Sequence, residues 1–261
     1  MPIGSAYSRI SGNRLSALVI RCLGTLDLHT HLRLKPILGF FRDHVQAGSS
    51  CRVLEVGCGD GVNAFELARL ARREGVTLSY LGLDIDPEGL EKARRLAQVL
   101  ELDRDLQFLR SDASHIASLG AEAWDMVILA DVLEHIEAPE ALLRDIRPAL
   151  RTGGLCLVSV PTPNYERVFG SAFHQKIGHV RSGYRIEELN ALFAEIGGRV
   201  ICHSYSTGLI SRLGCAVYYR TPATRRVTAL KAILLSPFRV LDFYNGPRVS
   251  CSLFAAYCVE R

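Results

Sequence analysis

Three glycines at alternate positions, Gly57, Gly59 and Gly61, end the run Val53-Leu54-Glu55-Val56-Gly57-Cys58-Gly59-Asp60-Gly61. Glycines at that spacing permit positive φ and let backbone come close to a ligand. A Val/Leu strand with one acid near its end enters the turn. An amphipathic helix leaves it, from Val62 to about Glu74, with Phe65, Leu67, Ala68, Leu70 and Ala71 at helical spacing. The first N–H groups of such a helix have no partner within it and point back into the turn. The dinucleotide fingerprint is Gly-x-Gly-x-x-Gly and has a pyrophosphate to hold. Gly-x-Gly-x-Gly departs from it and favours a cofactor without phosphates. A second apolar run, Leu81-Gly82-Leu83-Asp84-Ile85-Asp86, places Asp84 23 positions after Gly61. That is close to the roughly 20 expected of an acid that grips a ribose in a first βαβ unit. Asp84 could instead cap a helix, but Asp86, directly before Pro87, already supplies that cap.

Two more strands end in acids. Leu106-Gln107-Phe108-Leu109 runs into Arg110-Ser111-Asp112-Ala113, and Trp124 to Ala130 runs into Asp131-Val132-Leu133-Glu134-His135-Ile136. A helix from about Pro139 to Leu150, the turn Arg151-Thr152-Gly153-Gly154 and a strand from Leu155 to Val160 follow.

In this order the segments resemble the class I S-adenosylmethionine (SAM) dependent methyltransferases. Glu55, Gly57, Gly59 and Gly61 match the acidic-x-Gly-x-Gly-x-Gly of motif I. The run Asp131 to Ile136 looks like the fourth motif in the form common among ubiquinone-biosynthesis-type small-molecule methyltransferases. Arg151 to Gly154 resembles the usual Leu-x-Pro-Gly-Gly turn, with Thr152 in place of Pro. The resemblance is strong over Cys51 to Val160 and moderate over Gly178 to Ser206. It implies SAM as cofactor and S-adenosylhomocysteine as product. The positions it assigns to cofactor binding are Glu55, Gly57, Cys58, Gly59, Gly61, Asn63, Asp84, Ile85, Asp112, Ala113, Ala130 and Asp131. Asp84 would accept from both ribose hydroxyls. Asp112 would meet the adenine amine, with helix capping as its alternative role.

Alternation of strands and helices from Cys51 to Ser206 makes the fold α/β, a mainly parallel sheet with helices on both faces. Ligands in such sheets lie beyond the carboxyl ends of the strands, where Glu55, Asp84, Asp112 and Asp131 would converge. The family implies a Rossmann-like sheet of seven strands whose last strand is antiparallel. Strands at Arg199 to Ser206 and Ser252 to Val259 would complete it. Residues 1–48 form an N-terminal helical lid in this reading and 49–261 the methyltransferase domain, with 207–250 an insertion covering the substrate site. Within that insertion, 225–241 reads as a basic amphipathic helix, carrying Val227, Leu230, Ile233, Leu234, Phe238, Val240 and Leu241 among its cations. Packing onto the protein's own core is preferred for it over membrane contact.

Methyl transfer from a sulfonium is an in-line displacement, so positioning the nucleophile about 3 to 3.5 Å from the methyl carbon supplies much of the rate. A neutral hydroxyl acceptor also needs a proton acceptor, and imidazole titrates in the working range. His135 is the first candidate base, with lining the cofactor pocket or capping the next helix as its other role. His174 and His179, in the loop Pro161 to Tyr184, are the next, against a solvated loop histidine as the plainer reading. Tyr165 and Tyr184 could contact substrate. No clustered acids can be placed for a metal-assisted mechanism, so no metal is expected.

The chain has 261 residues, 48% hydrophobic and 22% charged, with a net charge of +4. This is the profile of an ordinary globular protein, and its scattered cations give nucleic-acid binding no support. Eight cysteines without a Cys-x-x-Cys pair suit buried thiols in a reducing cytoplasm. The reading is therefore a SAM-dependent methyltransferase acting on a small or lipid-like acceptor, most simply at oxygen. A NAD-dependent oxidoreductase is the alternative enzyme, opposed by the glycine spacing. A non-catalytic SAM-binding partner protein is the other alternative, opposed by the filled cofactor positions.

Overall fold

A computed structural model describes residues 28–112, 116, 119–171, 177–220 and 234–260. Helix α1 (Leu28–His44) precedes strand β1 (Ser50–Val56), α2 (Val62–Glu74), β2 (Thr77–Asp84), α3 (Pro87–Val99), β3 (Leu106–Arg110) and β4 (Trp124–Ala130). After a 3-10 turn at Leu133–His135 come α4 (Pro139–Ile146), β5 (Leu150–Pro161), α5 (Asn164–Phe169), α6 (Ile186–Ala194), β6 (Gly198–Ser206) and α7 (Ser211–Arg220). A second 3-10 turn, Ser236–Arg239, leads to β7 (Ser252–Val259).

The seven strands form one sheet in the order β3-β2-β1-β4-β5-β7-β6. The pairs β1/β2, β1/β4, β2/β3 and β4/β5 are parallel, whereas β7 runs antiparallel to both neighbours. The expected fold class is thus the observed one. Parallel central strands must be covered on both faces, and two apolar layers do this. One joins α1, α2 and α3 to the sheet through Phe40, Phe41, Phe65, Leu67, Leu90 and Leu96; the other joins α4 and α6 through Leu142, Leu143, Ile146, Leu189 and Phe193. Phe193 stacks on Tyr257 of β7 with ring centres 4.0 Å apart.

Local signals explain the boundaries. Asp86 caps α3 by accepting the Glu88 N–H at 3.0 Å, and Pro87 occupies the first turn where its missing N–H costs nothing. Three expectations need correction, the first being the turn over Arg151 to Gly154, which lies inside β5. The loop expected from Pro161 to Tyr184 contains α5, anchored by Asn164, whose side-chain amide donates to the carbonyls of Pro247 and Ser250. The amphipathic helix expected over 225–241 lies partly outside the described residues; in its described part Leu234 is helical and the chain then passes into the Ser236–Arg239 turn, with Pro237 in its first turn. Proline lacks the N–H that a continuing helix needs. Of the expected N-terminal cover, residues 1–27 lie outside the described set, and α1 packs its Leu28, Leu32, Ile37, Phe40 and Phe41 into the protein. Among the described residues no helix is long and apolar enough to cross a membrane.

Candidate functional site

The parallel strands deliver their carboxyl ends to one edge of the sheet, and the glycine turn after β1 lies at its centre. Gly57, Gly59 and Gly61 have φ of +74°, +55° and +79°. At Gly57 the constraint is also steric, since a Cβ would sit 2.6 Å from Cγ2 of Val132, in the turn after β4. At Gly59 nothing lies within 4 Å of where a Cβ would be, so this glycine borders open space. Its N–H donates to Oδ2 of Asp84 at 2.7 Å, while Oδ1 accepts the Asp86 N–H at 2.8 Å. Asp84, the last residue of β2, therefore ties two βα turns together with a half-buried carboxylate.

Glu55 lies beneath this turn. It is fully buried, and its two oxygens accept from the Tyr80 hydroxyl and the Asn63 side-chain amide. Burial pushes its carboxyl up to about 7, against the pull of those two donors. Glu55 and Asn63 thus brace the turn from below. Cys58 also turns inward, its Sγ placed against Gly82 where a Cβ would come within 2.7 Å, and burial pushes its thiol well above the ordinary range.

Beside Asp84, a cleft of about 380 Å³ is lined by Ile85, Arg110, Ser111 and Asp112. Ile85 is 70% exposed, an apolar side chain presented at the cleft rather than folded into the core. Arg110 and Ser111 were not among the expected cofactor residues; their signal was their place at the end of β3, directly before Asp112. Ala113, expected here, lies outside the described residues.

On the other flank of the turn, Ala130 ends β4 and Asp131 follows with φ +56° and its N–H on the Ser159 carbonyl at 2.8 Å. Arg33 of α1 forms an ion pair with the Asp131 carboxylate, which pins the N-terminal helix over this end of the sheet. The segment 177–184 docks on the 3-10 turn through backbone and side-chain bonds. Val180 N–H donates to Glu134 O at 2.9 Å, Arg181 to Ile136 O at 2.7 Å, and Tyr184 OH to Leu133 O at 3.1 Å. This brings His179 to His135, with ring centres 4.8 Å apart, and to the Glu134 carboxylate, with Nε2 3.9 Å from Oε1. Nδ1 of His135 is 3.0 Å from the Gly178 carbonyl.

Glu134 is the residue that sequence reasoning missed. It is buried, neither oxygen has a hydrogen-bond partner among the described residues, and burial raises its carboxyl to about 8. Its signal was its place beside His135 in the motif. The ligand atoms of Glu134, His135 and His179 lie within 4.8 Å of one another. Such a group can take up a proton, and its ligand types also suit a divalent cation. Next to it an aromatic wall continues through Tyr165, 5.7 Å from His179, to Phe169 and His29. Tyr165 is within the group, whereas Tyr184 spends its hydroxyl on a backbone carbonyl. His174 lies outside the described residues.

Residues 47–195 match the family described as a methyltransferase domain. The ubiquinone biosynthesis O-methyltransferase of Vibrio parahaemolyticus is 35% identical over 115 residues, which are 44% of this chain and 46% of that protein. The chain's match thus spans about half the length of the curated relatives it resembles. Among solved structures, a SAM-dependent methyltransferase from Archaeoglobus fulgidus superposes with a TM-score of 0.54 at 15% identity, covering 86% of this chain and 94% of that one. The geranyl diphosphate C-methyltransferase of Streptomyces coelicolor A3(2) gives 0.58 at 12% identity, covering 86% and 77%. At such identities these two likenesses concern the fold.

Proposed function

The chain belongs to the methyltransferase domain family, with S-adenosylmethionine as its cofactor, and on that premise we propose that it methylates an oxygen of a small or lipid-like metabolite. The observation that carries the reading is the Asp84 carboxylate, held by the Gly59 and Asp86 amides directly before Ile85, which lines a cleft with Asp112. Each oxygen has one backbone donor, and an ionised carboxylate offers about four acceptor directions. Capacity for two ribose hydroxyls is therefore left. The cleft volume suits a small-molecule site. Exposed Ile85 provides an apolar face for the adenine ring, and Asp112 an acceptor for its amine. Gly57, Gly59 and Gly61 shape the turn that receives the rest of the cofactor, with Ala130 and Asp131 closing its far side. Glu55 and Asn63 are positioning residues in this reading, and Cys58 contributes backbone.

When bound, the cofactor supplies a methyl carbon activated by a sulfonium. The chain's own residues then have three tasks. The Tyr165, Phe169 and His29 wall excludes water from the acceptor side, where a dry site strengthens electrostatic interactions. His135 and His179, beside Glu134, take the proton released by a hydroxyl acceptor. Helix α1, held by the Arg33–Asp131 pair, covers the edge where cofactor and acceptor would meet, in keeping with a division into 1–48 as cover and 49–261 as catalytic domain. The O-methyltransferase relatives favour oxygen over nitrogen or carbon as the target.

The test is calorimetry with S-adenosylhomocysteine, followed by methyl-labelled SAM offered with matched phenol, alcohol and amine acceptors. Uptake of the product and label on the hydroxyl compounds alone are expected. No uptake would overturn the cofactor geometry, and label on the amines alone would overturn the oxygen assignment.

A further inference from the structure

Glu55 lies in β1 at full burial, and its neighbours across the sheet are Gly82 of β2 and Ile128 of β4. Both of its hydrogen-bond partners arrive as donors. The Asn63 side-chain amide gives an N–H to Oε1, and the Tyr80 hydroxyl gives its proton to Oε2. Two donors complement a carboxylate, which accepts at both oxygens; a protonated acid carries a donor of its own and would have to turn the Tyr80 hydroxyl into an acceptor. The surroundings are therefore built for the ionised form.

What that form lacks is a counter-ion. A buried carboxylate is costly unless a positive charge offsets it. The charge acting on Glu55 is that of Asp84 at the end of β2, a second acid, and among the described residues no cation offsets it. Its other titratable neighbours bring none either. Tyr80 of β2 and Cys58 of the turn are held neutral by burial, which pushes both groups well above their ordinary values, and Asp60, further along the turn, acts on Cys58 as one more acid. From α2 Glu55 meets the uncharged Asn63, and beside it β4 brings Ile128.

We propose that Glu55 is the counter-ion of the cofactor's sulfonium: it gives up its proton when the charged methyl donor binds over the glycine turn and takes one back when transfer leaves a neutral sulfur. The inference rests on the cofactor reading and adds to it a means of telling donor from product. On binding, the Glu55 O–H bond breaks, the proton passes to solvent, and the electron pair stays on the carboxylate, at which Tyr80 and Asn63 already aim their donors. An opposite charge nearby favours the ionised form. Once the sulfur has recovered the electron pair of its methyl bond, the carboxylate is again a buried charge without a partner, and it takes a proton from solvent. The turn thereby loses its grip on the spent cofactor.

The test counts protons and needs no turnover. The intact chain is titrated calorimetrically with SAM and with S-adenosylhomocysteine, without acceptor, in two buffers of equal pH and different protonation enthalpy. Burial puts the Glu55 carboxyl at about 7, so near that pH SAM should release about half a proton more than S-adenosylhomocysteine does. Glu55→Gln should abolish the difference. Measured against that variant, SAM affinity should rise about tenfold between about pH 6 and about pH 8, as the ionised fraction goes from about a tenth to about nine-tenths, while S-adenosylhomocysteine affinity stays level. Should the glutamine variant not fold, Tyr80→Phe serves: it removes a donor that favours the carboxylate, so the rise should move to higher pH. Equal proton release by the two ligands, a difference that survives Glu55→Gln, or a rise unmoved by Tyr80→Phe would each overturn this inference and leave the cofactor reading intact. Uptake of neither ligand would overturn the cofactor reading and this inference with it.

Discussion

Replacing Asp84 by Asn keeps the size and shape of the side chain and removes its charge and half of its acceptors. In the folded protein, Oδ2 and Oδ1 hold the Gly59 and Asp86 amides at 2.7 and 2.8 Å. An asparagine can face only one of those N–H groups with its oxygen, and its NH2 must oppose the other. A buried donor left without an acceptor costs about 1–3 kcal/mol, and this part appears as lost stability. On the cofactor side, one ribose hydroxyl loses its acceptor and the other exchanges a charged partner for a neutral one. At about 1–1.5 kcal/mol for each change, the sum is about 2–3 kcal/mol, or roughly 30- to 150-fold in Kd. Calorimetric titration of S-adenosylhomocysteine reads the affinity, and thermal unfolding in its absence reads the stability. Asp86→Asn is the control: its carboxylate caps α3 through Glu88 and should lower stability while leaving affinity near wild type. A Kd for Asp84→Asn within about threefold of wild type would refute the ribose assignment, because charge-assisted bonds are worth more than that.

Further outcomes test the supports around the site. Gly57→Ala should cost about 1–3 kcal/mol of stability, because a Cβ meets Val132 at 2.6 Å and alanine resists a φ of +74°; adding Val132→Ala should recover the steric part only. Glu55 keeps its proton in the folded state up to about pH 7, against an ordinary value of 4.5. Its contribution to stability is complete below the unfolded value and is lost as pH rises through the folded one. Glu55→Gln, which cannot ionise, should therefore flatten the fall in denaturant-measured stability between about pH 5 and about pH 8; an unchanged slope would count against the buried titration. His179→Gln should lower kcat by about tenfold or more without changing cofactor affinity, as general-base removal does. Turnover that survives EDTA supports proton uptake by the Glu134, His135 and His179 group, while loss restored by added divalent ions would make that group a cation site.

The first four strands were legible because each is a short apolar run ending in a glycine or an acid, and those punctuators are local. Asp86 and Pro87 announced α3 in the same way. The placement of Asp84 and Asp112 at the carboxyl ends of β2 and β3 could be read for a related reason: in parallel strands the position of an acid within its run also fixes the edge of the sheet on which it emerges. The meeting of Glu134 with His135 and His179 could not. Glu134 meets His179 only because Tyr184, Val180 and Arg181 bond to groups more than forty residues away, and no local pattern encodes that docking. The Arg33–Asp131 pair is equally long-range. Glu55 was legible as an acid of the motif, but its burial beneath the turn follows from Tyr80, which comes from the neighbouring strand. Of the helix expected over 225–241, the described end gives way to a 3-10 turn at Pro237, which apolar periodicity does not weigh.

Strand β7 is bonded to β5 on one side and β6 on the other, so among the described residues β6 has no other strand beside it in the sheet. During synthesis β6 leaves the ribosome first and must wait, unpaired, while the following forty-odd residues are made. Its edge can be sealed only when Ser252–Val259 slides into the gap. A stop codon placed before Ser252 would thus strip the sheet of two strands instead of one, and the nascent chain would expose a sticky edge to chaperones and neighbouring polypeptides throughout that interval.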